Sequence, residues 1–530
     1  MITFAVAAPA LSLVLAQIVA RRAGLVGRIC LAGVTLAFVA AIGLLARVLI
    51  APGGASAAGP LALHANRLTV AMLLLVLGVS ALAQAYALRN LAGSPQQSRF
   101  VRTTALTTSA VALTVSAAHL LLLLVGWELT SLGLLAIVGQ RRELPLAREG
   151  LRRAARSLLL GDGALLLAGA LIWRSAGDVS LVHLHRVALA LAHAKLPILV
   201  GTLPAAPCVA ALLTVAAAAR AAQLPRQSWL AATVTTPTPA SAMLHAGLVN
   251  AGGFLLVRLA PVFADGPTGP VMAVTIGLAT ALYGGTLSLS RPDVKGSLAQ
   301  STSAQMGFML MACGVGAYAA AIVHLIGHGL YKASAFLGAD GAVAAQTAKR
   351  SAPALPSAPA PQRGTLVAVA ALSAAAMAAA LASFAHVALA DRGAIVPLAF
   401  AWAAAVTVSS GLLTGSRLPR AAVLLMATAA SVAYAGLLAL LTAYLHLAAG
   451  STYTLPLTLT LPIIALAFLA AWALAAGATG LVGQLRARLY PYLLDLGSVR
   501  IRPVAVASAR AGLARPAEQP ARLSEQGAAA

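Results

Sequence analysis

Residues 220–258 read RAAQLPRQSWLAATVTTPTPASAMLHAGLVNAGGFLLVR and lie between long apolar runs. The stretch holds Arg220, Gln223, Pro225, Pro237, Pro239, a run of threonines and His245. Hydrocarbon penalises free backbone amides and charges, so helix-breaking polar sequence at membrane depth persists where it faces protein or a water-filled cavity. Pro225 interrupts one helix, and Pro237 with Pro239 opens the next. Broken helices near the midplane are where transporters commonly hold ions. A surface loop between two spans is the plain alternative for 223–239, and Arg226 and Trp229 suit one. His245 and Asn250, well inside the following span, do not.

The surroundings fit a membrane setting. Of 530 residues, 60% are hydrophobic and 9% charged, against about 25% charged in soluble proteins. The net charge of +24 does not argue for nucleic acid, because the basic residues fall in short clusters between apolar runs, as orientation signals do. Cys30, Cys208 and Cys313 lie in or near hydrophobic segments without CxxC spacing and read as small apolar side chains. Met1–Ala20 lacks a charged leader and is followed by Arg21 and Arg22, so it reads as a first span.

Apolar windows long enough to span predict about fifteen transmembrane helices (13–15), near 2–20, 29–50, 68–88, 103–120, 121–140, 155–173, 198–222, 238–260, 269–289, 297–314, 318–344, 365–389, 394–414, 421–447 and 456–482. The cut between 103–120 and 121–140 has no hydrophilic loop to mark it. With the N-terminus outside, 27 of the 36 basic residues fall on the cytoplasmic side, among them Arg141–Arg156 and the C-terminal arginines, and seven on the other. A wrong span count would scramble that alternation. Arg220 and Lys332 belong to no loop. Segment 178–197, with His183, His185 and His193, reads as an interfacial helix. The chain divides into N-terminal helices (1–100), a core (101–345), an Ala/Pro-rich linker (346–363), C-terminal helices (364–484) and a basic tail (485–530), disordered near its end.

Titratable residues inside spans are the candidates for chemistry. Glu128 lies in HLLLLVGWELTSLGLLAIVG, where an unpaired carboxylate costs about 2.5–3.5 kcal/mol on insertion scales. Arg220 is its natural candidate partner, and a helix-fixing ion pair is the competing role. His324, His328 and Lys332, spaced i, i+4, i+8, lie on one helical face at roughly 6 Å steps. Such a row, joined by water, can pass protons, since histidine titrates near neutral pH and lysine, unlike arginine, can release its proton when desolvated. Ordinary packed polar groups remain the alternative. A zinc site is the weaker reading, because HxxxH has no HExxH glutamate and no evident third ligand. Asp340 can extend the row or simply end the helix. His245 adds another titratable group. His119, Asp162, His386 and His446 read as satisfied packing groups. No nucleophile triad, P-loop or dinucleotide fingerprint is present, so the chain reads as a transporter component and not an enzyme, with no cofactor of its own.

The words GWELTSLGLLAIVG, AAQLPRQSWL, TPTPASAMLHAG, RPDVKGSLAQSTSAQMGFM and HLIGHGLYKASAFLGA, covering roughly 100–345, resemble the antiporter-like membrane subunits of respiratory complex I and of multisubunit sodium/proton antiporters. LHAGLVNAGGFLLVRLAPVF looks most like the DabB subunits of two-part inorganic-carbon accumulation systems. The resemblance implies an all-α polytopic fold with inverted repeats and broken helices. It also implies a proton path through Glu128, Arg220, His245, His324, His328 and Lys332. Proton or sodium flow would then drive conversion of carbon dioxide to bicarbonate on a DabA-like cytoplasmic partner, which carries the zinc. Redox-driven pumping in a complex I-like enzyme (subunit L-like), or cation/proton antiport, is the alternative, and a channel that no longer conducts is a third. Lipid is the other expected contact, the bacterial inner membrane the expected location and the cytoplasm the expected side of the C-terminus. Arg220 stands where the family has lysine. An arginine stays protonated and cannot hand on a proton, although it can gate Glu128 electrostatically.

Overall fold

The computed structural model describes residues 1–19, 23–51, 61–177, 179–197, 201–339, 395–415, 418–445 and 481–497, with scattered positions in 341–379 and 455–469. Its helices are α1 (Ile2–Val19), α2 (Ala23–Ile50), α3 (Arg67–Asn90), α4 (Gln96–Ser116), α5 (Leu120–Val138), α6 (Pro145–Ala176), α7 (Leu184–His193), α8 (Ala205–Arg220), α9 (Ser228–Ala231) and α10 (Thr238–Ala246). They continue as α11 (Ala251–Arg258), α12 (Ala260–Phe263), α13 (Thr268–Ser290), α14 (Val294–Gly314), α15 (Tyr318–Leu337), α16 (Ile395–Gly415), α17 (Arg420–Leu445) and α18 (Leu481–Gly497). One hairpin, β1 (Lys195–Pro197) with antiparallel β2 (Thr202–Pro204), precedes α8. The chain is an all-α polytopic membrane protein, with that one hairpin among the described residues.

Every expected span except 365–389 and 456–482 falls on a helix; those two lie mostly outside the described residues, as do the 346–363 linker, Asp340, His386, His446 and the tail beyond 497. Among the described residues seven helices are long and apolar enough to cross a membrane, and three shorter apolar ones accompany them. Helices α4, α14 and α15 carry threonine, serine, glutamine, histidine or lysine, and much of that polarity is buried inside the bundle. The expected span at 198–222 begins later, at Ala205, because the hairpin occupies the residues before it.

The unmarked cut between α4 and α5 has a local cause. Residues 117–119 leave the helix and pair with extended neighbours, Leu63 with Ala117 and His119 with Ser180. The amide of His64 donates to Ser116 O (2.8 Å) and that of Leu181 to Ala118 O (2.8 Å). Backbone groups freed by ending a helix are thereby satisfied without a hydrophilic loop. His119 then caps α5, its Nδ1 accepting from the Leu121 amide.

Helix α3 sits centrally, packed on α2, α4, α10 and α15, with most of its length buried. Asn66 caps it by accepting from Thr69 N (2.8 Å). Its first residue, Arg67, donates to Tyr444 O (2.7 Å) at the end of α17, and Tyr444 Oη donates back to Arg67 O (3.1 Å). Helix α15 approaches α10 closely at Gly329, where a Cβ would stand 2.9 Å from Ala246 O. The Gly252–Gly253 pair does the same for α11, against Ala217 O of α8 and the Met309 side chain of α14.

Candidate functional site

The quoted stretch breaks twice. Helix α8 ends at Arg220, and the chain passes through residues 221–227 before the single turn of α9. Ala221, Ala222, Gln223, Trp229 and Leu230 are buried, while Pro225 and Arg226 are exposed. Gln223 Nε2 donates to Ala221 O (2.7 Å) and Ser303 O (3.2 Å), and Leu224 N donates to Thr280 Oγ1 (3.1 Å). The break is therefore bonded to α13 and α14, and most of it is not a solvent loop. The second break falls within the next span, where α10 stops at Ala246 and a 3₁₀ turn at Leu248–Asn250 leads into α11. Asn250 Nδ2 bridges it by donating to Ala246 O (2.8 Å).

Arg220 is 1% exposed. Its Nη2 donates to Asp162 Oδ1 of α6 (3.2 Å) and Trp127 O (3.4 Å) and also bonds Ser131 Oγ. Its guanidinium lies 4.2 Å from the centre of the Trp127 ring. Trp127 Nε1 donates to the same Asp162 oxygen (2.8 Å). The expected Arg220–Glu128 pair is thus replaced by Arg220–Asp162. The reason is helical geometry. Successive residues point about 100° apart, so the face of α5 that turns Trp127 and Ser131 toward Arg220 leaves Glu128 on the half-buried flank. Glu128 Oε1 is buried there without a hydrogen-bond partner. Asp162 had the same signature as Glu128, a lone carboxylate in an apolar run, and its role as counter-ion needed the α5–α6–α8 packing to be seen.

The other four residues come together. His324 and His328 rings are 5.9 Å apart on α15. His324 packs on Phe308 (4.8 Å), and its Nε2 is buried without a partner. His328 Nε2 lies 3.2 Å from His245 O, and a carbonyl can only accept, so that nitrogen carries the proton. The His245 ring stacks on Phe336 (4.4 Å), with Nδ1 3.1 Å from Thr302 Oγ1. Thr302 Oγ1 donates to Leu298 O (2.8 Å), which makes His245 Nδ1 the donor of the pair. Lys332, 1% exposed, donates from Nζ to the same Leu298 O (2.9 Å) and to Ser301 Oγ (2.6 Å). One continuous line of bonds therefore runs His328–His245–Thr302–Leu298–Lys332.

Leu298, Ser301 and Thr302 were missed as members of this line. They belong to the quoted SLAQSTSAQM segment, but hydroxyl residues in a helix usually bond back to their own turn, so nothing in the sequence singled them out. Arg258, assigned to a loop by charge alternation, is instead the buried last residue of α11 and donates to Ala117 O (2.9 Å). Beside Trp127 lies a cavity of about 30 Å³ with a mainly apolar lining that includes Met72, Leu75, Val76 and Leu325, and along which Asn250 is one of few polar residues. Asn250 Oδ1 is buried without a partner.

Comparison with known proteins accords with this architecture. Residues 117–358 match the family model described as NADH:quinone oxidoreductase/Mrp antiporter, TM. The probable inorganic carbon transporter subunit DabB1 of Halothiobacillus neapolitanus is 38% identical over 276 residues, 52% of this chain and 49% of that protein. The DabB counterpart of Bacillus subtilis is 33% identical over 53% of this chain and 54% of its own length. NADH-quinone oxidoreductase subunit L of Mycobacterium tuberculosis is 33% identical over 53% of this chain and 43% of its own. The chain thus aligns with about half the length of the curated relatives it matches. Among solved structures, the Mrp complex of a Dietzia species superposes with a TM-score of 0.59 at 23% identity, covering 94% of this chain and 60% of that one. That likeness is one of fold. Together, the residues carrying both clusters lie within the stretch that matches the NADH:quinone oxidoreductase/Mrp antiporter model, and the chain is similar to DabB subunits.

Proposed function

We propose that this chain is the ion-conducting membrane subunit of an energy-coupled inorganic carbon pump. Its partner would be a DabA-like cytoplasmic protein holding the zinc, and proton or sodium movement through this chain would drive carbon dioxide to bicarbonate there. The observation that carries the reading is Lys332, a buried amine that among the described residues donates to neutral oxygens and follows the stacked His324 and His328 rings on one face of α15. A fixed ammonium at that depth would be costly without a carboxylate partner, whereas a lysine that exchanges its proton with the neighbouring imidazoles is a working relay.

Arg220 has a different part. It keeps its charge and is neutralised by Asp162, so it sets the local field instead of carrying protons. Glu128, half-buried and unbonded at Oε1, is the group on that side able to load and unload one. The chain would sit in the bacterial inner membrane with its C-terminus in the cytoplasm.

Co-expression tests the assignment. In a strain lacking carbonic anhydrase, growth in air should require this chain and a DabA-like partner together, and should be lost with Lys332→Ala. Growth conferred by either protein alone would refute the coupling. The similarity to subunit L supports a second reading, redox-driven proton pumping, for which the purified complex would contain quinone and iron–sulfur subunits in place of a zinc protein.

A further inference from the structure

At the end of the bundle where α3 begins, three elements meet away from both clusters. Residues 62–64 pair with 116–118, placing His64 and Ser116 opposite one another, with His64 N donating to Ser116 O (2.8 Å). Arg258, closing α11, reaches the next carbonyl, donating from Nη2 to Ala117 O (2.9 Å). It is 7% exposed, and among the described residues no carboxylate lies within ion-pairing distance of it. Arg258 Nε, Ser116 Oγ and His64 Nδ1 are each buried without a hydrogen-bond partner. Ser116 is fully buried. Burial, and then the charge of Arg258, hold the His64 imidazole below its usual range.

A guanidinium is permanently charged and offers five donors in a rigid fork. One carbonyl and the C-terminal end of a two-turn helix offset part of that charge. The remainder, buried, calls for a counter-ion. The unused groups around it are an N–H, a hydroxyl and an imidazole nitrogen, all able to donate, with no acid among them. Such a set bonds an anion through charge-assisted hydrogen bonds and would repel a cation.

We propose that Arg258, Ser116 and His64 form a binding site for a small monovalent inorganic anion, of the bicarbonate or chloride kind, at the junction of α11 with the α4–α5 break. The site lies outside the His324–Lys332 row, so its occupancy can be read whichever ion that row moves.

The test uses the purified full chain in lipid nanodiscs, followed by thermal unfolding in sodium bicarbonate, chloride or gluconate at equal sodium and pH. Anything that binds the folded state alone raises the midpoint with concentration. Bicarbonate, chloride or both should raise it relative to gluconate, and Arg258→Gln and Ser116→Ala should each weaken the apparent affinity about tenfold or more. If only bicarbonate acts, the site selects an oxyanion; equal action marks a general anion site. Should Arg258→Gln fail to fold, Ser116→Ala carries the test, since it removes the hydroxyl and adds no atom to the buried position. No difference between the anions and gluconate in the natural protein, or an undiminished response in Ser116→Ala, would overturn the site in favour of ordered water alone.

Discussion

At the scale of single residues, the placement of charge separates structure from transport. The Arg220–Asp162 pair is buried, bonded and stacked on Trp127. Removing one member leaves the other uncompensated, which costs about 3–5 kcal/mol. Asp162→Asn should therefore lower the stability of the purified protein by that order, measured by denaturant or thermal unfolding in nanodiscs. Glu128→Gln should differ, because Glu128 Oε1 is buried without a hydrogen-bond partner and among the described residues Glu128 is in no ion pair. Its unfolding midpoint should stay close to that of the natural protein while coupled carbon uptake is lost. Uptake that persists in Glu128→Gln would remove this residue from the path.

Broken helices decide the geometry at the scale of elements. His328 reaches the His245 carbonyl because α15 comes close to α10 at the next residue, Gly329. Gly329→Val should push the helices apart at a cost of about 1–3 kcal/mol. It should also weaken coupled uptake more than an equally destabilising substitution on the lipid-facing side, such as at Leu330, which is 54% exposed. Equal losses from the two would show that the close approach serves stability alone. The break itself was legible in Pro225, Pro237 and Pro239, since proline cannot complete a helical hydrogen bond. What held the break was not legible. Gln223 and Thr280 meet across residues far apart in the chain, and no local pattern announces such a pairing.

For the whole molecule, the N-terminal and C-terminal helices are tied by the reciprocal Arg67–Tyr444 contacts. The Tyr444 carbonyl, in the last turn of α17, is one of the acceptors a helix end leaves without an internal partner, whereas the Arg67 carbonyl, in the first turn of α3, takes the tyrosine hydroxyl as an additional donor. Tyr444→Phe removes one of the two bonds and should cost about 1 kcal/mol. Amide hydrogen exchange in the last turn of α17 should then quicken, with the α3–α15 core unchanged; an unaltered rate would show that this end of α17 is held elsewhere. The basic-residue alternation that organised the span count is a property of loops, and it misassigned Arg258 because a buried arginine at a helix end looks, in sequence, like one flanking a loop.

Composition and apolar periodicity alone determined that this chain crosses a membrane many times, and the proline and histidine spacing located the break after Arg220 and the α15 row, while the second break, at Leu248–Asn250, fell inside a span read as continuous. These are local consequences of hydrocarbon excluding water from the backbone, so they are written into consecutive residues. The counter-ion of Arg220, the tie of Lys332 to His245 through Leu298 and Thr302, and the burial of Arg258 against Ala117 were decided only by tertiary structure. Each joins helices distant in sequence, and a buried charge takes whichever partner the packing brings within bonding distance.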